Sequence, residues 1–155
     1  MASPITTVRD ELSLFTTLME LMKREQQMLV AADTDALGTL TPQKAQLVAQ
    51  MAALSKQRHA QLADAGHAPE DAGMQGWLEH AGDSAASDLW QDLLAITRQA
   101  KEINRVNGML IAKQLTNTQT IINAMRTPAG AAETAVYGPT GQTSTTTTSR
   151  RVVIG

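Results

Sequence analysis

Residues 84–126 read SAASDLWQDLLAITRQAKEINRVNGMLIAKQLTNTQTIINAMR, forty-three residues without a proline. Within them Leu89, Trp90, Leu93, Ile96, Ala100, Ile103, Val106, Leu110, Ile111, Leu115, Ile121, Ile122 and Met125 recur in steps of three, four and seven. That period belongs to an amphipathic helix and not to a strand. A helix over this whole run would extend roughly 60 Å at about 1.5 Å per residue, longer than a small domain needs. It must bend over its partners or outrun them.

Towards the N-terminus a second helical pattern starts at Ser3. Ser3 suits an N-cap and Pro4 the first helical position, and Asp10 and Glu11 stand early enough to favour the positive end of the helix dipole. Ile5, Val8, Leu12, Phe15, Met19 and Met22 form one stripe, and Leu14, Leu18, Leu21 and Met28 an adjoining one. A face this wide packs against more than one neighbour, as in a bundle. Ala32-Asp33-Thr34-Asp35 carries the capping residues of an αα-hairpin. Leu37, Leu40, Leu47, Met51, Leu54 and Leu62 then continue the period across Thr41-Pro42. Pro42 either opens a helix capped by Thr41 or distorts one that began near Asp35, and the unbroken period favours the longer helix.

Ala65-Gly66 closes this segment, and the stretch to Ser84 is rich in Gly, Asp and Ala around Pro69. It predicts a connection with one short helix, pinned to the bundle by Met74, Leu78 and above all Trp77. After Thr127-Pro128 large apolar residues become sparse and a Thr/Ser run fills 143–149, so residues 127–155 read as a flexible C-terminal tail with Tyr137 alone in its middle. The predicted fold is therefore all-α: an antiparallel bundle of long helices over residues 1–126, an αα-hairpin plus a long third helix, followed by the tail.

Composition narrows the function. Hydrophobic residues make up 43% and aromatics only 3%, so the core must be built from Leu, Ile, Val, Met and Ala. Thirteen basic against fifteen acidic residues give a formal charge of -2, which leaves no excess to neutralise a phosphate backbone, and nucleic acid is not an expected partner. No cysteine is present, no apolar run approaches a membrane span, and Asp10 and Glu11 interrupt the place a signal peptide would use. The expectation is a cytoplasmic protein without stable membrane insertion.

Catalytic and metal chemistry find no foothold. His59, His67 and His80 form no His-x-x-x-His or Glu-x-x-His pair, and zinc asks for three or four convergent ligands. Gly73-Met74-Gln75-Gly76 lacks the lysine and hydroxyl of a phosphate loop, and no Gly-x-Ser-x-Gly elbow occurs. A non-enzymatic binding protein without a cofactor is the expectation.

The informative constellation is Asn104-Arg105-Val106-Asn107-Gly108 in the middle of the long run. Asn104 and Asn107 share a helix face, as expected of amides that fix register or meet a partner. Gly108 costs about 1 kcal/mol relative to Ala, which predicts a neighbouring backbone packed closely against it.

The hairpin with Asp33, Asp35 and Leu37 at its turn, then Lys44, Leu47, Leu54 and Arg58, the Asn104-x-x-Asn107-Gly108-x-Leu110 element and a closing Tyr137-Gly138-x-x-Gly141 together resemble the FlgN-type flagellar export chaperones. The resemblance runs from about residue 5 to 141. It implies a cytoplasmic chaperone of the flagellar type III export pathway, holding the C-terminal helical segments of hook-filament junction proteins, the hook-associated proteins, with its own C-terminal half. Leu110, Ile111, Leu115, Ile121, Ile122 and Met125 are the candidates for that client surface, and Tyr137 corresponds to the tail tyrosine through which family members dock on the export gate. For Leu110 and Ile111, closure of the bundle core is an equal reading. The rival for the whole chain is a homodimeric coiled-coil adaptor using the same stripes, whereas a chaperone should self-associate weakly at most.

Overall fold

The computed structural model describes residues 3–127, which form four helices: α1 Pro4–Ala31, α2 Thr34–Asp64, α3 Asp71–Ala81 and α4 Ser84–Arg126. The described chain is thus all-helical, with three long helices and one short, as the periodicities predicted. Two compact units divide at Ile111/Ala112, and the tail with Tyr137 lies outside the described residues.

The helix ends follow local chemistry. Pro4 occupies the first turn of α1, where its missing N–H costs nothing, and the Ser3 carbonyl accepts from Thr6 N–H at 3.0 Å although the Ser3 side chain makes no cap. Ala32 turns left-handed at φ 54°, letting Asp33 N–H reach Met28 O at 2.9 Å and close α1. The Asp33 carboxylate accepts from Ala36 N–H at 3.1 Å and starts α2 within two residues. Pro42 lies inside α2, so the longer helix is the one that forms. Asp10 and Glu11 do not serve the dipole as expected, because neither falls in the first turn, and Glu11 is buried for a different purpose described below.

Two apolar clusters fill the first unit. One joins Val8 of α1, Leu62 of α2, Met74 and Leu78 of α3, and Ala86, Trp90 and Leu93 of α4. The other joins Leu18, Met19 and Met22 of α1 to Ala100 of α4, with Leu47 and Met51 of α2 against it. Each fully buried Leu, Met or Val contributes roughly 1.5–3 kcal/mol. The buried tryptophan is Trp90, not Trp77. On α3 the four-residue step from Met74 to Leu78 faces the cluster, and Trp77 is only partly covered beside it. Gly73 permits the tight entry of the chain into α3, since a Cβ there would stand 2.0 Å from Ala68 O of the preceding connection.

Candidate functional site

Two buried polar assemblies fix the first unit. Asn107, 1% exposed, donates from Nδ2 to Met22 O at 2.9 Å and to Glu25 Oε2 at 2.8 Å. Lys44 of α2 donates from Nζ to both Glu25 oxygens, at 3.1 and 2.9 Å, and to Asn104 Oδ1 at 2.8 Å. Asn104, Asn107, Glu25 and Lys44 thereby tie three helices in one register. The amide orientation follows from its partners, because a flipped Asn107 would set an oxygen against two acceptors. Its Oδ1 is buried and finds no partner among the described residues, a cost of about 1–3 kcal/mol that the two donated bonds must exceed. Gly108, one residue on, is exposed, and a Cβ there would meet nothing within 4 Å. The expected close packing at Gly108 does not occur, because one residue turns the helix by about 100° and carries it from the buried side to the open one.

The second assembly centres on Arg58, which neither composition nor period singled out as buried. Its Nε and Nη2 donate to Glu11 Oε1 and Oε2 at 2.9 and 3.3 Å, and its Nη1 to Asp71 Oδ1 at 2.9 Å. The guanidinium carbon lies 5.0 Å from the Trp90 ring centroid, a cation–π contact. Burial works against the Arg58 charge, but hydrogen bonds and attraction to Glu11 and Asp71 outweigh it and hold the guanidinium above its ordinary range. Burial likewise pushes the Asp71 carboxyl up, and hydrogen bonds from His59 and Arg58 outweigh that and hold it below the usual carboxylate range. The pattern is a structural clamp joining α1, α2, α3 and α4. Among the described residues no group of three or more His, Asp or Glu could hold a metal.

The client candidates are placed unevenly. Leu110 is half-buried and Ile111 is 41% exposed at the end of the first unit. In the second unit Leu115, Ile121, Ile122 and Met125 are 67, 59, 36 and 81% exposed. At about 100° per residue these four fall within an arc of roughly 120°, the width of a core-facing stripe. On a surface helix such a stripe ordinarily faces a core, and here it faces solvent.

The sequence pattern of the FlgN protein family matches residues 1–145. The chain belongs to the FlgN family. FlgN proteins are flagellar export chaperones for hook-associated proteins and not enzymes, which agrees with an interior whose polar residues are engaged in holding helices together. No curated protein and no solved structure matches the chain. No helix among the described residues of this FlgN protein is long and apolar enough to cross a membrane.

Proposed function

We propose that this chain acts in the cytoplasm, holds the C-terminal helical segment of a hook-associated protein against the end of α4, and presents it to the export gate through Tyr137. The observation that carries the reading is the solvent-facing stripe of Leu115, Ile121, Ile122 and Met125. Leu110 and Ile111 remain candidates on the first unit, by themselves. Junction proteins end in amphipathic helices that find their partners only in the assembled filament, so in the cell their apolar faces need a temporary cover. Laying one such helix on another removes apolar area from water on both, at about 25 cal/mol per Å². Met125, and in the first unit Met109, are exposed and unbranched, a side chain that adapts to unlike surfaces. The buried Asn107, whose Nδ2 is spent on α1, supports a role in register, while the exposed Asn104 accepts from Lys44 of α2 through its Oδ1.

The division of labour is tested by pull-downs on full-length variants, with the client fragment and with the cytoplasmic gate domain. Tyr137→Ala should retain the client and weaken gate docking, because a single aromatic anchor in a linear segment carries much of such an interaction. Loss of both partners to the same extent would show that tail and helix end form one site.

A further inference from the structure

The first unit holds an apolar groove that the reading above does not use. α1 and α2 run in close backbone contact, whereas α4 approaches neither of them as closely. Between α2 and α4 lie two recesses of about 330 and 210 Å³ that share Phe15, Val48 and Thr97 and so form one furrow. Phe15, Leu18 and Met22 of α1 floor it, Val48 walls it on one side, and Thr97 and Ala100 wall it on the other. Val48, 48% exposed, is an isolated large apolar residue on a helix face that otherwise presents polar groups or alanine to water. The furrow runs from Arg58 to Lys44 along α2 and from Trp90 to Asn104 along α4, about 21 Å at about 1.5 Å per residue, or four helical turns. A bundle of three long helices with an apolar opening of this length has room for a fourth.

Charge indicates the occupant. The chain as a whole is slightly acidic, yet α2 carries no carboxylate between Asp35 and Asp64, and α4 none between Asp92 and Glu102. The carboxylates that reach the groove, Glu11 and Asp71, are both engaged by Arg58. Arg98 and Lys101 on the α4 edge make no ion pair among the described residues. Arg58 is a single cation between two carboxylates and Lys44 is paired with Glu25, so the free positive charge lies on the α4 edge, where Lys101 lines the furrow and Arg98 stands beside it. A second copy offering the end of its α4 would bring Arg105, Lys113 and Arg126 with no carboxylate between Glu102 and Glu133, which repels instead of complementing.

We propose that the groove between α2 and α4 receives a helix of the hook-associated client, about four turns long, apolar on one face and flanked by carboxylates, as the fourth member of the bundle. This rests on the chaperone reading of the chain and adds a client contact separate from Ile121 and Ile122. Val48 and Thr97 meet the apolar face of that helix, and Lys101 and Arg98 meet its acids.

The test is titration of the C-terminal helical fragment of the client into the full chain and three variants, at low and at physiological salt, with thermal melts to confirm folding. Val48→Glu should weaken binding by about tenfold or more, because it sets a charge in an apolar contact and repels the acidic flank. Lys101→Glu should weaken it about threefold and flatten its salt dependence. Val30→Glu, at a more exposed apolar site outside the groove, should bind as the unaltered chain does. If the fragment binds and both groove variants match the unaltered chain, the groove proposal is wrong while the chaperone reading stands. If Lys101→Glu tightens binding, the acidic chemistry assigned to the occupant is overturned. If the unaltered chain does not bind the fragment, the chaperone reading itself fails and the groove proposal with it.

Discussion

Replacing Arg58 by methionine removes the cation from the clamp and leaves Glu11 buried beside Trp90. The side chains of Arg58 and Glu11 are 3 and 4% exposed, so water cannot easily take over the lost partner. Breaking a buried pair by deleting one member costs about 3–5 kcal/mol. Loss of the cation–π contact at 5.0 Å adds about 0.5–2 kcal/mol, partly offset by the methionine stem. We therefore expect urea denaturation, followed by helical circular dichroism, to show Arg58→Met less stable by about 3–5 kcal/mol at pH 7.

Asp71 supplies the pH dependence of the clamp. In the unaltered chain burial raises its carboxyl, but hydrogen bonds from His59 and Arg58 outweigh burial and hold it below the usual carboxylate range. Its contribution is therefore present above that range and is lost as pH falls through the lowered value. Without Arg58 part of the lowering goes, and the loss on acidification should be smaller in the variant. The double variant Glu11→Leu/Arg58→Met should recover most of the loss, since apolar replacement of a buried pair is often neutral. A deficit under about 1 kcal/mol at pH 7 would refute the burial of a functioning ion pair here.

Two further substitutions probe the polar register. Asn107→Asp removes both donors to Met22 O and Glu25 and sets a second carboxylate within 2.8 Å of Glu25, so chemical denaturation at pH 7 should show a loss of at least about 3 kcal/mol. Gly108→Ala fills open space in a helix and should stabilise by about 1 kcal/mol, seen as a higher melting temperature, whereas a decrease would mean that a backbone occupies the site after all.

The long helices were legible because their signals are local. The span of α4 follows from an apolar period with no proline before Pro128, and the turn between α1 and α2 from Asp33 and its neighbours. The Arg58 clamp was not legible, since Glu11 and Arg58 are 47 positions apart and each reads as a surface charge until the fold brings them together. Trp77 and Trp90 look equivalent in the sequence, and only the side from which α3 meets the bundle decides which is buried. At Asn107-Gly108 the composition marked the right turn of helix but could not say which residue faced inward. Lys44 came with the family resemblance, while its partner Glu25 had no signal of its own among the ordinary charges of α1. Period distinguishes the apolar stripe of α4 from its polar side, but not core from client surface, because both are apolar at the same spacing.

The claim that the end of α4 captures the client is tested most directly by calorimetric titration of the client's C-terminal helical fragment into the unaltered chain and into Ile121→Asp/Ile122→Asp. Both isoleucines are solvent-facing, 59 and 36% exposed, so the double variant should melt cooperatively like the unaltered chain. Saturation of the unaltered chain is expected at one fragment per chain, with binding of the variant weakened by at least about tenfold, since an unpaired charge in an apolar contact costs several kcal/mol and only the groove contact remains. Binding of the variant with unchanged affinity and stoichiometry would contradict the claim.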